Sequence, residues 1–337
     1  MEDAQKHKRA LKEAADKLVE GNKGILAIDE SPSSMEKKFA PLGISNTEEN
    51  RRRYRELLLT PPREISSCLS GVILNEETFQ QKDKTGKLFV QHILDRGICA
   101  GVKLDKGLLP LNDSEKTSTG LSDLAERCVK YKNLGASFAK WRSVFTIQSG
   151  LPTEECIFKN CEILSEYALV CQNNGLVPVI EPEVLFSGSY SAETCEVVTS
   201  SVISCLFYHV NRKAVYVPGL IIKTGFVTAG SEGQQQGIAE VACGTLRALM
   251  DSVPPSVPGI VFLSGGHPED VSVEYLKEAS RVRKEKKAPW KISYSFGRAL
   301  QDSVLAEWKN EDEMQESAQA MLLKRAKLCS DAVQGDK

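Results

Sequence analysis

Residues 219–228 read GLIIKTGFVT, with a lysine in the middle of what is otherwise a buried strand. Leu220, Ile221, Ile222, Phe226 and Val227 form the near-continuous apolar run of a strand in a parallel sheet covered on both faces. Lysine is almost never fully buried unless it is paired. Lys223 therefore needs either a partner or a task.

The same kind of run recurs along the chain. GILAIDE (24–30), CLSGVILNE (68–76), CAGVKLDKG (99–107), ASFAKWRSVF (136–145) and LVPVIEPEVL (176–185) precede LIIKTGF (220–226). GIVFLSGG (259–266) and WKISYSFG (290–297) follow it. Successive starts lie 31 to 44 residues apart, which leaves room for one strand and at least one helix. Helical patterns fill the gaps. TEENRRRYRELLLT (47–60) begins at a threonine N-cap, carries Glu48 and Glu49 in its first turn and is stopped by Pro61. Pro268-Glu269-Asp270 opens another helix, and residues 155–173, 193–209, 232–252 and 301–328 carry further helical patterns. Strands alternating with helices predict parallel pairing, and eight such units predict a closed (β/α)8 TIM barrel of the α/β class. No Pro/Gly/Ser-rich linker interrupts the 337 residues, so one domain is expected. Residues 1–23 form its N-terminal helical segment, and 301–337 its C-terminal helix and short tail.

Charge and composition narrow the partners. Lys+Arg is 43 and Asp+Glu is 45, a formal net charge of −2, which argues against a general nucleic-acid or membrane-surface binder. Small anions need only a local cluster of positive charge and remain candidates. The stretch MEDAQKHKRA lacks the apolar core of a signal peptide, and no run approaches 18 apolar residues. A cytoplasmic location without membrane insertion is expected. The ten cysteines contain no C-x-x-C pair and read as reduced, partly buried thiols. The four histidines are far apart and match no zinc spacing, so no metal is expected. Neither G-x-G-x-x-G nor G-x-x-x-x-G-K-[ST] occurs, so no dinucleotide or nucleotide cofactor is expected.

In such a barrel, chemistry gathers at the C-terminal ends of the strands. The polar residues there are Asp29, Lys103, Lys140 with Arg142, Glu181 with Glu183, Lys223, Ser264, and Ser295 with Arg298. One lysine alone reads equally well as a buried residue paired to a carboxylate. Three apolar-flanked lysines with two carboxylates between them point to catalysis. Crowded cations disfavour one another's charge, so one amine is expected to lose its proton near neutral pH and become nucleophilic. The natural use of that amine is a Schiff base with a carbonyl, and Lys223 has the least polar surroundings of the three. SGGHPED and SFGRALQ end the seventh and eighth strands, where barrels of this kind frequently hold phosphate. Glycines admit an oxyanion close to the backbone, a helix follows each turn, and Arg298 can grip phosphate bidentately.

GILAIDES, NTEENRRRYRELLLT, GVILNEETFQQK, GVKLDKGLLPL, FAKWR, VPVIEPEVL, FLSGG and GRALQ, in this order across residues 8 to 329, resemble class I fructose-bisphosphate aldolase. The resemblance implies a metal-free, commonly tetrameric barrel that cleaves fructose 1,6-bisphosphate through a lysine imine. Lys223 would form the imine, and Glu181 would act as general acid/base with Glu183 beside it. Asp29 would deprotonate or orient the C4 hydroxyl, and Lys140 would stabilise the charge developing there. Ser264, Gly265, Ser295, Gly297 and Arg298 would hold one phosphate; Ser31, Ser34, Lys37, Lys103 and Arg142 would line the other end. Members of the family also bind cytoskeletal and membrane-protein partners. Ser31 and Ser34 read alternatively as a helix cap, and Arg51 to Arg53 as a solvated or intersubunit helix face. Rival readings of the whole are another imine-forming sugar-phosphate aldolase or transaldolase, or a non-catalytic binding protein on the same scaffold.

The chain departs from the family pattern in places. Many members read Pro-Asn-Met after the imine lysine, where this chain has Thr224-Gly225-Phe226. Ser33 stands where glycine is common, and Lys38 where arginine is common. Many relatives carry a terminal tyrosine that assists enamine proton transfer, whereas this sequence ends at QGDK. Either water or another residue does that work, the step is slower, or the chain continues beyond Lys337.

Overall fold

The computed structural model describes residues 2–335. Its eight barrel strands are β1 (Gly24–Ile28), β2 (Leu69–Leu74), β3 (Cys99–Lys103) and β4 (Ala136–Phe145), then β5 (Val177–Val184), β6 (Ile221–Thr224), β7 (Gly259–Phe262) and β8 (Lys291–Phe296). All eight pair in parallel with their sequence neighbours, and β8 returns to β1 to close the barrel. Each of the eight apolar runs read from the sequence contains one of these strands.

Period-two alternation sends every second side chain into the barrel. The inward positions follow a gradient: Phe138, Lys140, Arg142 on β4, and Val177, Val179, Glu181, Glu183 on β5. Apolar residues fill the N-terminal end and charged ones the C-terminal mouth. Phe138 is the bulky plug, and Gly101 on β3 makes room for it: a Cβ there would lie 2.2 Å from its ring. The helix Glu2–Leu18 closes the floor. Leu11, Ala15 and Leu18 join Ile25, Ile73, Val179, Ile221 and Val261 in one buried cluster. The larger core lies between strands and outer helices, and includes Trp141, Tyr167, Phe262 and Tyr294.

Helix starts obey their caps. Thr47 accepts from the Asn50 amide at 3.1 Å and opens Glu48–Leu59; Thr153 and Ser191 do the same for Glu154–Asn173 and Ala192–Arg212. Two predicted helices are corrected. The pattern over 301–328 is two helices, Arg298–Trp308 and Gln315–Gln334. Lys309 and Asn310 between them have positive φ (45° and 68°), and Arg53 clamps the corner through Asn310 and Asp312. The pattern over 232–252 starts only at Ile238, because residues 230–237 turn before Glu240 caps the Gly237 amide at 2.9 Å. A short antiparallel hairpin, Leu108–Pro110 with Lys116–Ser118, was not expected. Arg51 to Arg53 are each engaged within the subunit, by Glu77, by Glu49 and Glu56, and by Asp312. Among the described residues, no helix is long and apolar enough to cross a membrane.

Candidate active site

A cavity of about 540 Å³ opens at the C-terminal mouth of the barrel. A continuous row of buried charges crosses its base. Lys223 on β6 places Nζ 3.0 Å from Glu181 Oε1, and Lys140 on β4 reaches Glu181 Oε2 at 2.7 Å and Asp29 Oδ2 at 3.0 Å. Glu181 lies on β5 between these strands, so it joins two lysines that do not pair with each other. Lys103 pairs with Asp105 at 2.8 Å, and Arg142 holds Glu183 in a short charge-assisted bond.

The lysines do not stand as bare neighbouring cations: Glu181 joins Lys140 to Lys223, and Lys103 has Asp105. Burial works against the Lys140 ammonium, but Asp29 and Glu181 outweigh it and raise its pKa, so Lys140 stays cationic. Burial likewise disfavours the Asp29 carboxylate, yet Lys140, Lys223 and Lys103 hold its pKa well below the usual carboxylate range. Glu181 shifts down in the same way, with Lys140, Lys223 and Arg142 overcoming burial.

The rim carries hydroxyls, glycines and arginine. After β1, Ser31 caps the helix Pro32–Phe39, accepting from the Ser34 amide at 3.3 Å. Its hydroxyl also lies 2.9 Å from that of Ser33 and 3.1 Å from that of Ser34. The capping reading is therefore correct, and the same hydroxyls face the cavity. After β7, Ser264 is followed by Gly265 and Gly266 with φ of 59° and 108°, values that glycine adopts without strain. After β8, Gly297 precedes Arg298, the first residue of an 11-residue helix whose N-terminus favours anions. Ser295 Oγ is buried and has no hydrogen-bond partner among the described residues.

The family model described as fructose-bisphosphate aldolase class-I matches residues 10–337. The chain belongs to the class-I fructose-bisphosphate aldolase family. It is 44% identical over 328 residues to the fructose-bisphosphate aldolase of Encephalitozoon cuniculi (strain GB-M1), covering 97% of this chain and 96% of that protein. It is 43% identical over 331 residues to fructose-bisphosphate aldolase B of Bos taurus, covering 97% and 90%. The fructose-bisphosphate aldolase of Plasmodium falciparum, solved in complex with TRAP and a small-molecule inhibitor, superimposes with a TM-score of 0.95. It is 41% identical and covers 98% of this chain and 95% of that one.

Within this aldolase barrel, every candidate named from the sequence lines the cavity except Lys37. Lys37 is exposed on the helix Pro32–Phe39, and its neighbour Lys38 lines the cavity instead. Adjacent residues on a helix point about 100° apart, so only one of the two can face the mouth. Lys38 pairs with Glu30 at 2.5 Å, and Arg55 reaches the other oxygen of Glu30 at 2.9 Å. Burial disfavours the Glu30 carboxylate, but these two cations bring its pKa to about 2. Glu30 and Asp105 are aldolase cavity residues that the strand-by-strand reading passed over. Asp105 lies two residues past Lys103, on the same inward face, and that spacing could have revealed it. Glu30 had no such signal, since its partners come from two separate helices.

Proposed function

We propose that this chain reversibly cleaves fructose 1,6-bisphosphate to dihydroxyacetone phosphate and glyceraldehyde 3-phosphate, through an imine on Lys223. The observation that carries this reading is the row of buried Lys223, Glu181 and Lys140 with half-buried Asp29 at the mouth of an aldolase barrel. The Lys223 amine, its proton passed to Glu181 Oε1, adds to the C2 ketone of the open-chain sugar. The carbinolamine hydroxyl then leaves as water, with a proton returned by Glu181. The resulting iminium draws the electrons of the C3–C4 bond as Asp29 takes the proton of the C4 hydroxyl. Lys140, held cationic between two carboxylates, stabilises the charge on that oxygen. Glyceraldehyde 3-phosphate departs, the enamine takes a proton at C3, and water releases dihydroxyacetone phosphate. Glu183 keeps Arg142 aimed along the rim.

The two phosphates divide between the rims. Strand β6 pairs with β7, Lys223 opposite Val261, so the Ser264–Gly265 turn stands beside the imine and takes the C1 phosphate with Ser295, Gly297 and Arg298. Lys103 and Arg142, on β3 and β4, take the C6 end together with Ser31, Ser34 and, in place of Lys37, Lys38. The same reading includes a cytoplasmic homotetramer with cytoskeletal or membrane-protein partners, which the family resemblance supports; sedimentation of the purified protein tests the tetramer.

The imine is tested by mixing the protein with dihydroxyacetone phosphate in EDTA, reducing with borohydride and locating the adduct by peptide mass spectrometry. The expected adduct is on Lys223. An adduct on Lys103 or Lys140 would keep the reaction and move the nucleophile. No adduct in folded protein would leave a binding protein on an aldolase scaffold.

A further inference from the structure

We infer that His267 is a positioning residue for the phosphate bound beside the imine, acting as the wedge of an aromatic column that fixes the Ser264–Gly266 turn. The inference rests on the aldolase reading above and assigns a task to a residue that reading leaves idle.

The turn is intrinsically loose. It contains two consecutive glycines in the left-handed region, closed by a bond from the His267 amide to the Ser264 carbonyl at 2.9 Å. Something outside it has to hold its amides in place if they are to meet an oxyanion. Behind the turn, aromatic rings run in contact from the barrel wall to the rim. Phe262 on β7 stacks on Phe226 with centroids 4.3 Å apart, and Phe226 meets Tyr275 at 5.4 Å. Tyr275 meets the His267 imidazole edge-on at 5.3 Å, and His267 meets Phe186 at 4.2 Å. The column thus ties the turn to β7, to the loop after β6, to the helix Glu269–Lys286 and to the loop after β5.

Two further contacts make the wedge effective. The loop after β5 is itself pinned to the loop after β6, through Ser231 N to Phe186 O at 2.8 Å and Glu232 N to Gly188 O at 3.0 Å. A Cβ placed on Gly266 would lie 3.3 Å from the Phe186 ring and 3.5 Å from Arg298 Nη2. The turn backbone is therefore gripped between the outer end of the column and the arginine that faces the same anion. His267 is 8% exposed, and burial together with the nearby Arg298 lowers its pKa to about 4. Its ring is neutral at physiological pH and packs as an aromatic beside a positively charged subsite. Phe226, the second ring of the column, is one of the residues at which the chain departs from the common family pattern.

The test compares wild type, His267→Ala, His267→Phe and Phe186→Ala. For each, borohydride trapping is titrated with dihydroxyacetone phosphate and with unphosphorylated dihydroxyacetone, alongside kcat and KM for fructose 1,6-bisphosphate. His267→Ala and Phe186→Ala should each lower the preference for the phosphorylated ketone about tenfold and raise KM by a similar factor, with kcat changed less than about twofold. His267→Phe, which keeps the ring, should recover most of that preference. An unchanged preference in His267→Ala, a loss confined to kcat, or a His267→Phe variant no better than alanine would overturn the inference. If His267→Ala fails to fold, Phe186→Ala decides, since Phe186 is only partly buried at the outer end of the column. Wild-type protein that traps no ketone would instead sink the imine reading itself.

Discussion

The two ends of this barrel are made from the same strands and solved in opposite ways. At the floor, inward positions are Ile25, Cys99, Phe138, Val177 and Ile221, and a helix laid across them completes an apolar seal. At the mouth, inward residues at or just past the C-terminal ends of those same strands are Asp29, Lys103, Lys140, Glu181 and Lys223. The floor gains from excluding water, roughly 25 cal/mol for each Å² of apolar surface buried. The mouth costs stability, since every buried charge there must be matched by another to be tolerated. One end stabilises the scaffold, and the other uses that stability to hold reactive groups dry.

Substitutions at the two ends should therefore fail in different ways. The largest effect is expected from Lys223→Met. It should lower turnover by at least about 10³-fold, equivalent to about 4 kcal/mol, and abolish borohydride trapping while circular dichroism is unchanged. Retained turnover would break the assignment. At the floor, Leu18→Ala should destabilise by about 3 kcal/mol in urea titration and leave kcat per folded molecule unchanged. A large kcat loss there would mean that the two ends are not separable.

Arg142→Ala tests the mouth more finely. It removes a charged phosphate donor and leaves Glu183 without its partner. KM for fructose 1,6-bisphosphate should rise about 30-fold, or about 2 kcal/mol, and KM for fructose 1-phosphate should move much less. Equal shifts for both sugars would place the C6 phosphate elsewhere.

The smallest effect concerns Glu30, whose carboxyl titrates at about 2 in the fold against 4.5 for the free group. A depressed carboxyl contributes stability that is present above pH 4.5 and lost as pH falls towards 2. Lys38→Met removes one of its two cations and leaves Arg55. Acid unfolding should then begin at higher pH, with about 1 kcal/mol lost near neutral pH. Identical acid unfolding curves would show that Arg55 alone holds Glu30.

What the sequence by itself determined here is periodic and local. Eight apolar runs at barrel spacing, charged residues at their C-terminal ends and capped helix starts between them follow from steric and hydrophobic rules that act over a few residues. Those rules locate Asp29, Lys103, Lys140, Glu181 and Lys223 without any structure. Tertiary structure alone decided which charge meets which. Glu181 bridges Lys140 and Lys223 because parallel pairing sets its strand between theirs. The strand list shows lysines gathered at the mouth but not the carboxylate each one meets. Facing also required the fold, since Lys37 and Lys38 are equal in sequence and only the helix orientation chooses between them. The corner at Lys309 and Asn310 depended on Arg53, more than 250 residues earlier, which no local pattern contains. Secondary structure is set by neighbours in the chain; electrostatics and aromatic packing are set by neighbours in space, and closing the barrel is what makes the second set of neighbours.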